Sequence, residues 1–247
     1  RLYAEDPNND FLPEIGTLIA FEKDNSADAR WDSGVSRGTV VGTDFDPMLA
    51  KIISYAPNRT DAASKLAKAL ESAHIGGVKT NRDFLVNCLK SKEFIDGDTT
   101  TDFIDRVNPD RKLVIPDGSI HHVVAIAALW IQESNRKNSN VANFMPSGWT
   151  NGRLPSQSIT FEHENIDIKV EYQLQRDGSF KFANDKTALI YEMDESGIDC
   201  VFDAKRHYAK VTMNDSDILV HMPYGDVMLS IKPKFVMPGQ EITAGGL

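Results

Sequence analysis

Cysteine is the first shortage. The 247 residues hold two, Cys88 and Cys200, far apart and each without a CxxC neighbour. That spacing argues against a disulfide framework or a thiolate zinc site, and both read as reduced, buried thiols of a cytoplasmic-type compartment. Long apolar runs are also missing, so no segment predicts a membrane span and no membrane partner is expected. Excess positive charge is missing from both halves. Residues 1–118 carry 15 Lys and Arg against 20 Asp and Glu, the remainder 12 against 16, and the formal net charge is −9. A phosphate-tracking surface is not expected on such a chain, so nucleic acid is not a predicted partner. None of the six histidines lies in an H-E-x-x-H or similar spacing. His121 and His122 have no second ligand in view, His163, His207 and His221 read as scaffold, and no metal site is predicted. There is no internal repeat and no low-complexity stretch. The opening RLYAEDP has neither an initiator methionine nor a basic-then-apolar leader, so Arg1 reads as a boundary within a longer protein.

What is present describes a globular protein: 41 % hydrophobic and 26 % charged residues, with length for one large or two modest domains. The first part mixes strands and helices. Residues 17–21, 38–41 and 48–54 are β-type or buried runs. Thr60 is positioned to cap a helix carrying Ala63, Leu66, Leu70 and Ala73, with Gly76-Gly77 ending it. Asn81 is positioned to cap a second helix burying Phe84, Leu85, Cys88 and Leu89, and 101–107 predicts a last short one. Residues 108–119, with two prolines and a glycine, read as a linker, which predicts domains at 1–112 and 113–235. Residues 120–133 (IHHVVAIAALWIQE) are apolar almost all round, predicting a long apolar helix buried on every side, with Ser119 as cap. Eight β-type runs follow between 158 and 233, divided by turn signals such as Arg176-Asp177-Gly178, Ser196-Gly197 and Tyr224-Gly225. The fold class predicted is α+β, its second part an antiparallel β-barrel around or against the helix. Residues 236–247 read as a Gly/Pro-rich linker.

Several motifs stand in a characteristic order: RLYAEDP (1–7), FLPEIGTL (11–18), RWDSGV (30–35), DFDPMLAKII (44–53), NRTDA (58–62), GGVKTNRDFL (76–85) and T-x-F-I (101–104). This half resembles the C-terminal subdomain of biotin carboxylase. AALWIQ (127–132), PSGWTNGR (146–153) and the D-x-x-x-x-I-K-P-K-F run (226–235) resemble the domain linking biotin carboxylase to carboxyltransferase. Together they resemble the alpha subunit of a biotin-dependent acyl-CoA carboxylase of the acetyl- or propionyl-CoA type. The resemblance implies a ligase in which ATP, Mg and bicarbonate convert biotin to carboxybiotin, the nucleotide lobes lying upstream and the biotin carrier domain downstream of this stretch. No E-A-M-K-M-like biotinyl motif occurs. The implied partners are a carboxyltransferase beta subunit and the carrier domain. The implied location is cytoplasmic, or the mitochondrial matrix for a eukaryotic parent.

One site residue carries over from the family's R-W-[DE]-S motif. Arg30 matches the arginine that contacts the biotin ureido group, where a fixed, permanently charged fork stabilises negative charge developing on the ureido oxygen. The bland reading of Arg30 is a surface arginine paired with Asp32 or stacked on Trp31. Asp46 reads as a turn residue before Pro47, Lys51 as solvated, and Arg59 as either a subunit contact or a surface ion pair. In the second half Trp149 and Arg153 are the docking candidates. Thr150 replaces the arginine of the family's PSGWRN pattern, and Arg153 is placed to compensate. The competing functions are a pure assembly module in which Arg30 is idle, a related urea or pyruvate carboxylase piece, and a barrel that binds a small ligand. The expectation for the isolated chain is no activity.

Overall fold

A computed structural model describes residues 1–116, 118–139 and 156–234. The first part is built on a three-stranded antiparallel sheet in the order Leu2–Tyr3, Met48–Ser54, Ala29–Ser33, with three two-stranded ladders beside it. One of these joins Ala20–Glu22 to His74–Gly76. The helix Arg59–Glu71 lays Ala63, Ala67 and Leu70 over Leu49 and Ile52 of the sheet. Its cap is Asn58 rather than Thr60. Asn58 has the extended backbone of a cap, and its carboxamide oxygen accepts the Asp61 amide at 2.8 Å.

Gly76-Gly77 does not end that helix, as had been expected; Ser72 does, its amide bonded to the Lys68 carbonyl. Both glycines serve close approach instead. A Cβ at Gly76 would collide with the Leu219 methyls, and Gly77, at φ +105°, lies against the Thr17 carbonyl. Asn81 does precede the helix Arg82–Lys90, yet it makes no cap bond. Its oxygen accepts the Tyr3 amide at 3.0 Å and ties the first strand to this helix. The stretch after Val107 is strapped down: Asn87 Nδ2 donates to the carbonyls of Asp110 (2.8 Å) and Lys112 (3.0 Å).

The second part is a closed antiparallel barrel of eight strands: Gln157–His163, Ile166–Leu174, Phe180–Phe182, Thr187–Met193, Gly197–Phe202, Lys205–Asn214, Asp217–Met222 and Gly225–Lys232. Its last strand pairs with its first, Phe161 opposite Ile231, so no edge is left open. Every strand sends apolar side chains into one core with the helix Ser119–Asn138. Nine consecutive helix residues, Val123–Ile131, are buried, which requires neighbours around the whole circumference.

The expected long apolar helix over 120–133 needs correction. The helix has 20 residues, but its apolar part stops at Ile131; Gln132 to Asn138 are polar, His121 is exposed, and no helix among the described residues is long and apolar enough to cross a membrane. Ser119 is its first residue, after Gly118 at φ +77°, and makes no side-chain cap. The polar end is anchored to the barrel. Trp130 Nε1 donates to the Asp194 carbonyl at 3.1 Å, Tyr172 Oη to Gln132 at 3.2 Å, and Lys137 to the Met193 carbonyl. The buried face of the helix and all eight strands share one apolar core, so the barrel interior is occupied by the chain's own side chains there.

Candidate functional site

Arg30 lies on the strand Ala29–Ser33, whose pleat sends Arg30 and Asp32 to one face and Trp31 to the other. Trp31 packs edge-on against Phe21 with ring centroids 6.3 Å apart. Arg30 therefore does not stack on Trp31; it forks onto Asp32. Nε donates to Oδ1 at 2.8 Å and Nη2 to Oδ2 at 3.1 Å. Lys51, directly across the ladder from Asp32, stands 3.7 Å from Oδ2. The Arg30 side chain is 73 % exposed. The hydrogen bond from Arg30 is the main cause that holds the Asp32 carboxyl below its usual range, and the same bond raises Arg30. Two of five guanidinium N–H donors are engaged, leaving three for another acceptor. The surface is thus a held cationic fork, with a second cation beside it.

The other sequence candidates scatter. Asp46 fixes its turn, its Oδ1 accepting the Met48 amide at 2.8 Å. Arg59 does not form the surface ion pair among the described residues; it donates to the Phe94 carbonyl at 2.6 Å and lies over the Phe94 ring. His163 bonds the Met228 carbonyl at 2.9 Å, and His122 and His207 meet ring to ring at 5.5 Å. Trp149, Arg153 and residues 236–247 lie outside the described residues.

A second constellation escaped the sequence. Asp226, on the last barrel strand, is 6 % exposed and is met by groups from both parts of the chain. Its Oδ1 accepts Nδ1–H of His74 and of His221, each at 2.9 Å. Its Oδ2 accepts the Ile75 amide at 3.2 Å and Arg82 Nη1. His74, 1 % exposed, turns Nε2 to Thr212 Oγ1 at 2.9 Å. Arg82, 5 % exposed, also donates to the Ala73 carbonyl at 3.1 Å and to Asp83. Burial alone would raise the Asp226 carboxyl, but Arg82 and the two imidazoles outweigh it and hold it far below the usual carboxylate range. His221 is therefore more than scaffold. One ligating atom each of His74, His221 and Asp226 lie within 4.8 Å of one another, a spacing a cation could use, but here they are bonded to each other. A cleft of about 640 Å³ opens beside the cluster, between Lys79, Arg111 and the barrel residue Glu164.

The family profile described as Biotin carboxylase C-terminal domain matches residues 1–106. This part of the chain is homologous to that domain. Beyond it, the methylcrotonoyl-CoA carboxylase subunit alpha of Mus musculus is 29 % identical over 259 residues, covering 96 % of this chain and 36 % of the relative. The propionyl-CoA carboxylase alpha chain of Ruegeria pomeroyi is 30 % identical over 211 residues, 76 % of this chain and 30 % of the relative. The pyruvate carboxylase of Staphylococcus aureus is 39 % identical over 106 residues, 42 % of this chain and 9 % of the relative. A solved biotin carboxylase domain of a thermophilic 2-oxoglutarate carboxylase, bound to bicarbonate, is 34 % identical at a TM-score of 0.43, covering 44 % of this chain and 24 % of that one. The chain spans about a third of the length of the two acyl-CoA carboxylase relatives. The biotin carboxylase C-terminal domain and the region after it are thus homologous to the alpha subunits, and Arg30 belongs to the domain while Asp226 belongs to the region that follows.

Proposed function

We propose that this chain is the middle of a biotin-dependent acyl-CoA carboxylase alpha subunit, that Arg30 is its contact with the biotin ureido group, and that the barrel docks a carboxyltransferase beta subunit. The supporting observation is similarity to alpha subunits that runs on through the barrel, joined to an exposed guanidinium whose orientation a neighbouring carboxylate fixes. Domains at 1–112 and 113–235 suit that reading. Biotin, when bound, supplies the ureido nitrogen that is carboxylated. Arg30 directs its free N–H donors at the ureido oxygen and stabilises negative charge there. Asp32 holds the fork in place, so little reorganisation is needed. Lys51 adds positive potential to the same face. No residue of this chain is assigned to ATP or Mg; these go to the lobes of the longer protein.

The test is Arg30→Ala in the full-length parent, read as biotin-dependent ATP cleavage. A fall of about 100-fold in kcat/KM is expected, the scale of losing one charge-stabilising donor. A value within about threefold of wild type, on that same scale, would remove Arg30 from the site.

A second reading, an assembly module with an idle Arg30, draws on one observation: the Arg30–Asp32 pair is already complete. It predicts that the chain binds a carboxyltransferase subunit with equal affinity whether position 30 is Arg or Ala. Trp149 and Arg153 are the docking residues to substitute in that experiment.

A further inference from the structure

Asp226 sits on the barrel, yet three of its four donors come from the biotin carboxylase C-terminal domain: His74 Nδ1, the Ile75 amide and Arg82 Nη1. The fourth is His221 of its own barrel, and Thr212 of the barrel in turn holds His74. The two parts thus exchange side chains across one buried point. Around it lie Ile19 and Ala20 from the first part with Leu219 and Met228 from the barrel, and Gly76 lacks the Cβ that would push Leu219 away. Apolar contact of this kind favours docking without setting a direction. A carboxylate with four convergent donors does set one, because each bond tolerates only a narrow range of distance and angle.

We propose that Asp226 is the positioning residue that fixes the barrel on the biotin carboxylase C-terminal domain in one orientation, so that the two move as a single arm. The bonds that Arg82 and His74 make to barrel residues form only in the docked state. Without Asp226, Arg82 stays buried with Asp83 as its one carboxylate, and undocking becomes the route by which it regains water. The inference is independent of the carboxylase reading: it stands whether or not Arg30 meets biotin.

The experiment uses the whole chain with spin labels at Ser64→Cys and Asn184→Cys, both exposed, and calorimetry of the unlabelled protein. Wild type is expected to give one narrow inter-label distance and one unfolding transition. Asp226→Ala is expected to broaden the distance distribution and split the transition in two, with the upper one keeping the wild-type midpoint within about 3 °C, the shift that roughly 1 kcal/mol makes at this size. Two transitions in wild type would overturn the proposal. So would a narrow distance and single transition in Asp226→Ala. If that variant does not fold, Arg82→Met, which empties the same pair from the other side, takes its place with the same two outcomes. Zinc chloride is added to wild type as well. A rise in its midpoint would mark a metal site, since a cation must replace the two Nδ1 protons, and would also overturn the assignment.

Discussion

Two arginine–aspartate pairs divide this molecule between them. Arg30 and Asp32 stand two residues apart on one strand, in water. Arg82 and Asp226 are 144 residues apart and closed off from it. Both are charge-assisted contacts, and in both the carboxyl is held below its ordinary range. What separates them is how easily each can be let go. An exposed pair is screened by water and adds little to stability, so the Arg30 fork is able to turn to another anion at little cost. A buried pair that loses one member leaves the other charge stranded. The first arrangement suits a ligand and the second suits architecture.

The sharpest way to break this contrast is to delete the cation from each pair and compare stability. Arg82→Met is expected to destabilise the chain by about 3–5 kcal/mol, the usual cost of breaking a buried pair by removing one partner. Urea unfolding at pH 7, followed by circular dichroism, reads it as a lower midpoint. A loss below about 1 kcal/mol, the range of an exposed pair, would mean that the buried pair is no more binding than the surface one.

The same contrast explains what could be read from the sequence. Arg30, Trp31 and Asp32 are neighbours, so the pair was legible as one of two local options, and the strand Ala29–Ser33, not expected from the sequence, chose Asp32 over Trp31. The barrel was legible for a similar reason. Turn signals such as Tyr224-Gly225 fall where one strand hands over to its sequence neighbour, Met222 pairing opposite Gly225. Local signals failed where two local meanings compete. Asn58 and Thr60 are both capping types, and only the geometry of the Asp61 amide chooses. Gly76 reads equally as a helix stop or as room for a neighbour, and the neighbour, Leu219, is remote in sequence. The apolar run from Ile120 predicted a helix but not its polar last two turns, because those are held by Tyr172 and Met193 of the barrel. The Asp226 cluster had no local signal at all. Arg82 is one charged residue at a helix start and Asp226 one at a strand start, and only the tertiary fold brings them together.

Acid sharpens the contrast further. The Asp226 carboxyl is depressed in the folded state, so the stability it contributes is present above the unfolded value of about 3.9 and is lost as pH falls below it. The groups facing it are Arg82, itself paired with Asp83, and His74 and His221. Asp32 is depressed as well, but water screens it. Urea midpoints taken at pH 5 and pH 3 are therefore expected to fall steeply in wild type and just as steeply in Asp32→Asn. In Asp226→Ala they should fall less. Equal slopes in all three proteins would place the acid sensitivity elsewhere.

The smallest expected effect is the most informative about function. Arg30→Ala removes a side chain that touches solvent and Asp32 and nothing in either core. Asp32 keeps Lys51 as a neighbour, so no charge is left alone. The urea midpoint should not move measurably, as for surface substitutions generally. That result would leave the Arg30 guanidinium, held by its own carboxylate, free of any part in the fold. If Arg30→Ala clearly lowers the urea midpoint, then the pair is structural after all. Any loss of carboxylation in the parent enzyme would then have to be separated from loss of the folded state before Arg30 could be placed at the biotin site.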